Sequence, residues 1–215
     1  MISYIIGVAA VVLLAWDIHG IAQPGAVFSI VFFHLPAAVT AMSAAGVAVA
    51  ASLLFLRTRD FKYDDLAVAA TEVGLAFLAV HLATGAIWGR TVWGTWWSWD
   101  AGLTTALVCW LLYAAYLMLR HVVDEPTRRA TFAAVVSILA FVDVPIVYVA
   151  IRWWRAPHPH PALWNFASMP SGWTAIMLGN VAAMTLLGAL LTGLRLRQEE
   201  ARREIDYVRR TARAM

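Results

Sequence analysis

The stretch Leu66-Ala-Val-Ala-Ala-Thr-Glu-Val-Gly-Leu-Ala-Phe-Leu-Ala-Val-His-Leu-Ala-Thr-Gly-Ala-Ile-Trp88 runs for 23 residues with one charged side chain, Glu72. A helix needs about 20 mostly apolar residues to cross the hydrocarbon of a bilayer. This segment meets that requirement, and four others resemble it. They lie within Gly25 to Leu56, Leu103 to Leu119, Ala130 to Ile151, and Gly172 to Leu194. A shorter run, Ile2 to about Trp16, makes a sixth span. It has no basic lead or cleavage site of a secretory signal, so it reads as a retained span. The whole chain has 215 residues, 62% hydrophobic and 13% charged. Soluble domains run near 45–50% apolar and about 25% charged. The composition therefore excludes a water-soluble globule, a disordered tail and a collagen-like fibre. Lipid offers no water to backbone groups, and no alternating barrel-strand pattern is present. The expected fold is all-α, an integral membrane bundle of six transmembrane helices over residues 1–194, followed by a charged tail over 195–215.

Lys and Arg mark the cytoplasmic side of short loops. Arg57, Arg59, Lys62, Arg120, Arg128, Arg129 and seven tail arginines fall on one side, thirteen in all. Only Arg90, Arg152 and Arg155 fall on the other. Both termini are expected in the cytoplasm, and the opposite loops in the periplasm if the host is a Gram-negative bacterium. The tail, with acids among its arginines, reads as a helix at anionic headgroups or a docking element for a partner. Interleaved acids argue against nucleic acid. The single Cys109 cannot form an internal disulfide, and no CxxC motif occurs.

Between the third and fourth spans stands Trp88-Gly-Arg-Thr-Val-Trp-Gly-Thr-Trp-Trp-Ser-Trp-Asp100. Trp88, Trp93, Trp96, Trp97 and Trp99 crowd twelve residues of one outer loop. An aromatic belt spreads its indoles over many span ends. This clustering instead suggests a flat interfacial platform for a large, planar, apolar ligand. As a helix, the segment would carry Trp93, Trp96, Trp97 and Asp100 on one face. His34, in Phe33-His-Leu-Pro, and His158, in Trp153-Trp-Arg-Ala-Pro-His-Pro-His-Pro161, fall on the same side. Two imidazoles beside apolar walls suit the two axial positions of haem iron. Each alone also reads as a solvated interfacial side chain. Zinc fits less well, for want of a four-ligand shell. His81, Glu72 and Asp143 lie inside spans, where ionisable groups are costly. Each is there for function or for hydrogen bonds that steady the bundle. Asp100 is placed to cap the fourth span or steady a ligand.

Trp93-Gly-Thr-Trp-Trp-Ser-Trp-Asp100 with Leu103-Thr104 resembles the tryptophan-rich WWD signature of the cytochrome c assembly proteins, and most closely the CcmC type. Phe33-His-Leu-Pro-Ala-Ala38, Thr84-Gly-Ala-Ile-Trp-Gly89, Asp143-Val-Pro-Ile146 and Trp153-Trp-x-x-x-His158 agree with it. The likeness covers nearly the whole chain. It implies non-covalent binding of haem b in transit, between the WWD loop (about 88–104) and two His ligands, here His34 and His158. His160 is a substitute for the second. It also implies delivery to a periplasmic haem chaperone of the CcmE type. The other implied partners are a small one-span protein of the CcmD type and ABC transporter subunits of the CcmA/CcmB type. The place is the bacterial inner membrane. One departure is Gly102, where the family commonly carries Arg. Arg90, Arg152 or Arg155 are the remaining candidates to grip a haem propionate.

The expectation is a haem-positioning protein with no catalytic residue of its own. No GxxxxGK[ST] loop occurs in the sequence, so ATP chemistry would belong to a partner. Two other readings stay open. A b-type electron-transfer subunit would want paired His inside the spans. A solute permease component would want broken helices and midplane charges.

Overall fold

A computed structural model describes residues 30–153 and 172–214. Among these residues it is all-helical. The helices are α1 (Val31–Thr58), α2 (Phe61–Trp93), α3 (Ala101–Val122), α4 (Pro126–Trp153) and α5 (Trp173–Ala214). All five are long and apolar enough to cross a membrane. They correspond to the second through sixth expected spans. The first span lies outside the described residues, as do His158 and His160. The helices alternate in direction. One end of the bundle collects the tryptophans and the other the basic residues.

The bundle packs through small side chains. Ala37, Ala41, Ala44, Ala45, Ala48 and Ala51 are buried along α1. Gly74 of α2 faces that row: a Cβ on it would lie 3.1 Å from Ala44 Cβ and 3.5 Å from the Ala41 carbonyl oxygen, so the two backbones approach closely. The large aliphatics face outward, among them Leu53, Leu111, Leu139 and Leu186. In water that surface would be a liability; in lipid it costs nothing. α1 crosses α5 at an equally tight point. A Cβ on Gly188 would lie 2.5 Å from Thr40 Cγ2. Gly188→Val is therefore expected to destabilise the bundle by about 1–3 kcal/mol. Gly193→Ala on the same helix, with nothing within 4 Å of the new Cβ, should leave the unfolding midpoint in detergent unchanged.

Helix ends follow local chemistry. Asp60 starts α2 by accepting from Lys62 N at 3.0 Å. Glu125 starts α4 by accepting from Thr127 N at 2.8 Å and Arg128 N at 2.6 Å. Those two backbone N–H groups hold the Glu125 carboxyl below its usual range. Pro36 and Pro145 both lie inside continuous helices.

At the basic end the charges are paired across helices. Arg120 of α3 makes a two-pronged contact with Asp64 of α2, at 2.6 and 2.9 Å. Arg203 of α5 reaches Asp65, and Asp64 at 3.2 Å. Arg195 grips Glu72 and lies 2.7 Å from Glu199. Residues 195–214 thus continue α5 as helix, and its arginines meet carboxylates of α2. Glu72 is engaged by an arginine 123 positions away in sequence.

Candidate functional site

Four helix ends converge at the tryptophan end, and His34 sits among them. Its position in the first turn of α1 faces α2, where Thr84 and Gly85 make its seat. His34 Nδ1 donates to the His81 carbonyl at 3.0 Å and lies 3.1 Å from Thr84 Oγ1. His81 Nδ1 donates in return to the His34 carbonyl at 3.1 Å. The two rings stack, with centroids 3.9 Å apart and planes 27° apart. A carbonyl oxygen only accepts, so each Nδ1 carries the proton. In a neutral ring with its proton on Nδ1, Nε2 is the nitrogen that can bind a metal. A carbonyl holding the far nitrogen is the usual means of fixing such a ring for ligation.

Gly85 is a matter of room. A Cβ there would lie 3.0 Å from His34 Cε1 and 4.0 Å from Leu103 Cδ2. The same spot therefore joins α1, α2 and the first turn of α3. Trp173, at the start of α5, meets Phe32 edge-on at 5.3 Å between centroids. His34 is two residues from that contact.

The tryptophan segment follows from two local rules. α2 ends at Trp93 because Gly94 takes φ 75°, a left-handed turn that only glycine adopts easily. α3 begins at Ala101 because Asp100, extended at ψ 162°, accepts from Gly102 N at 2.9 Å and Leu103 N at 3.1 Å. Ser98 Oγ donates to the other Asp100 oxygen at 2.7 Å. Residues 94–100 are thus a loop, and the helical face expected for Trp93, Trp96, Trp97 and Asp100 is not formed. A left-handed glycine at one end and a capping aspartate at the other leave too few residues for a turn of helix between them.

The indoles divide into two groups. Trp88 and Trp93 meet edge to face at 4.9 Å, and Trp97 and Trp99 at 5.9 Å. Trp96 is 60% exposed and Trp99 78%. Exposed indoles are unusual on a surface unless something apolar covers them. Trp97 Nε1 is buried without a hydrogen-bond acceptor among the described residues. Arg90 donates to the Gly94 carbonyl, so its guanidinium braces the loop. Arg155 lies outside the described residues.

His34, the five tryptophans and Asp100 therefore share one end of the bundle. Thr84, Gly85, Phe32 and Trp173 belong to the same neighbourhood and are not apparent from the sequence as site residues. Thr84 and Gly85 did stand in one of the motif stretches, but without a role. Stacked at 3.9 Å, His34 and His81 leave no space for a macrocycle between them. Inside the bundle a small cavity of about 70 Å³ lies between α1, α2, α3 and α4, bordered by His81, Cys109 and Tyr113. It is far too small for a porphyrin. No group of three or more metal-ligating side chains occurs among the described residues.

The family model described as "CcmC: Heme exporter protein C" matches residues 1–211. Heme exporter protein C of Bradyrhizobium diazoefficiens is 35% identical over 205 residues, 92% of this chain and 78% of that protein. The protein of the same name from Escherichia coli K12 is 33% identical over 177 residues, 81% of this chain and 71% of its own length. That from Haemophilus influenzae is 35% identical over 137 residues, 63% and 55% of the two chains.

Proposed function

Since the chain belongs to the heme exporter protein C family, we propose that it carries haem for export in cytochrome c maturation. Haem b is held non-covalently at the tryptophan end, which faces the periplasm. His34 supplies one axial nitrogen and His158 the other, with His160 as substitute. Trp88, Trp93, Trp96, Trp97 and Trp99 wall the macrocycle, and Asp100 sets the start of the helix beneath it. The observation that supports this most is the seat of His34. A ring whose Nδ1 is committed to a carbonyl and a threonine hydroxyl presents Nε2 as its ligand nitrogen. It does so at the same end of the bundle as the exposed indoles of Trp96 and Trp99, which suit a large apolar surface.

The chain positions its cargo and makes no bonds. An exposed porphyrin edge, with the iron held from both faces, is open to a periplasmic chaperone of the CcmE type. The small CcmD-type protein and the CcmA/CcmB-type ABC transporter complete the assembly. The protein sits in the bacterial inner membrane with both termini in the cytoplasm. The thirteen-to-three asymmetry of Lys and Arg supports that orientation.

The test is optical. Purified protein loaded with haem is expected to give the Soret band of a six-coordinate, bis-imidazole iron. His34→Ala combined with His158→Ala should abolish that spectrum in the folded fraction. An unchanged Soret band in the double variant overturns the ligand assignment.

A further inference from the structure

At the basic end, α2, α3, α4 and the extension of α5 enclose a cavity of about 300 Å³. Its floor is apolar, from Phe61, Val68 and Leu117, and its rim is charged. Most of those charges already have partners. Arg120 is bound to Asp64, and Arg203 to Asp64 and Asp65. Glu72 and Glu199 share Arg195, and Arg202 lies 3.9 Å from Glu199.

Two lining charges, Arg129 and Asp206, make no ion pair among the described residues. Arg129 lines the cavity from the first turn of α4. Its side chain makes no ion pair or hydrogen bond among the described residues, and its Nε is buried without an acceptor. Asp206 also lines the cavity but lies outside ion-pairing range of Arg129. A guanidinium with its Nε buried and no anion beside it is costly, and half-buried cations are ordinarily matched. The first turn of α4 and the last turn of α3 bring this cavity to the level of the lipid headgroups. The lining carries four arginines and four carboxylates, and Arg129 is the arginine among them with no carboxylate partner among the described residues; a planar guanidinium fits a phosphate with two parallel bonds.

We propose that this cavity is a phosphate-binding site, with Arg129 as its anchor and Arg202 at its mouth. Its natural occupant is the headgroup phosphate of an anionic phospholipid in the adjoining leaflet. The apolar floor receives the glycerol and the first methylenes of the chains. The occupant supplies a counter-charge for Arg129 and ties α4 to α5 through a molecule outside the chain.

The experiment uses the full-length protein in detergent, stripped of lipid and then given phosphatidylglycerol, phosphatidylcholine or inorganic phosphate. Native mass spectrometry counts retained lipid. A thiol-reactive dye follows unfolding, since Cys109 is buried in the folded chain. Wild type is expected to retain one phosphatidylglycerol per chain and to gain in unfolding midpoint, with phosphatidylcholine weaker. Arg129→Gln should hold that lipid about tenfold more weakly, as expected for the loss of a charge-assisted contact. Arg129→Lys, which keeps the charge, should recover part of it. A full midpoint shift with inorganic phosphate alone, still lost in Arg129→Gln, assigns the site to a soluble phosphate and overturns the lipid occupant. Equal retention and equal shifts in wild type and Arg129→Gln overturn the site itself.

Discussion

Asp64→Asn is expected to cost the bundle about 3–5 kcal/mol, enough to leave little folded protein in detergent at 37 °C. Asp64 is 4% exposed, and its principal partner Arg120 is 10% exposed. Two arginines from different helices end on this one carboxylate, Arg120 of α3 and Arg203 of α5. Amidation leaves Arg120 charged and buried with no anion. Arg203 fares better, because Asp65 still holds it. The harm is thus largely an orphaned cation, and a second change should relieve it. Asp64→Asn with Arg120→Met removes the orphan and is expected to recover at least half of the loss. Thermal unfolding of the two variants, side by side, checks both numbers. If the double variant is no more stable than the single one, the cost lies elsewhere than in the unpaired guanidinium.

Gly85→Val should lower haem affinity by about 10–100-fold, the usual penalty for disturbing what holds a ligand imidazole. A plain Cβ at this position already comes to 3.0 Å of His34 Cε1. Two γ-methyl groups would occupy the ring's own volume. His34 must then rotate away from Thr84 and from the His81 carbonyl, and its Nε2 loses its aim. Haem titration of the folded fraction reads the effect. The control is Gly188→Val, which strains the α1–α5 crossing without touching His34 and should load haem normally once folded. Wild-type affinity in Gly85→Val would show that the seat of His34 has no bearing on haem.

The helices were readable because lipid imposes a coarse demand that apolar runs either meet or fail. Asp100 as a cap was likewise readable, since a carboxylate two or three residues ahead of backbone donors has an obvious use. The pairing of Glu72 with Arg195 was not. Nothing periodic links positions so far apart, and only the antiparallel packing of α2 against α5 brings them together. The tryptophan segment misled for another reason. Its spacing fits a helical face, but Gly94 ends one helix and Asp100 starts the next, and these local devices override spacing over so short a stretch. The embrace of His34 and His81 was invisible too, because it depends on the rotation of two helices about their own axes. The Thr84-Gly85 pair acquires its meaning only once that rotation is known.

α5 runs for 42 residues without a proline, about 63 Å end to end. At one extremity its indole, Trp173, leans on Phe32. At the other, Arg195 and Arg203 bolt it to α2. It is one unbroken helix along that length. Whatever grips its final five turns holds one end of a rod whose other end leans on Phe32, two residues from His34.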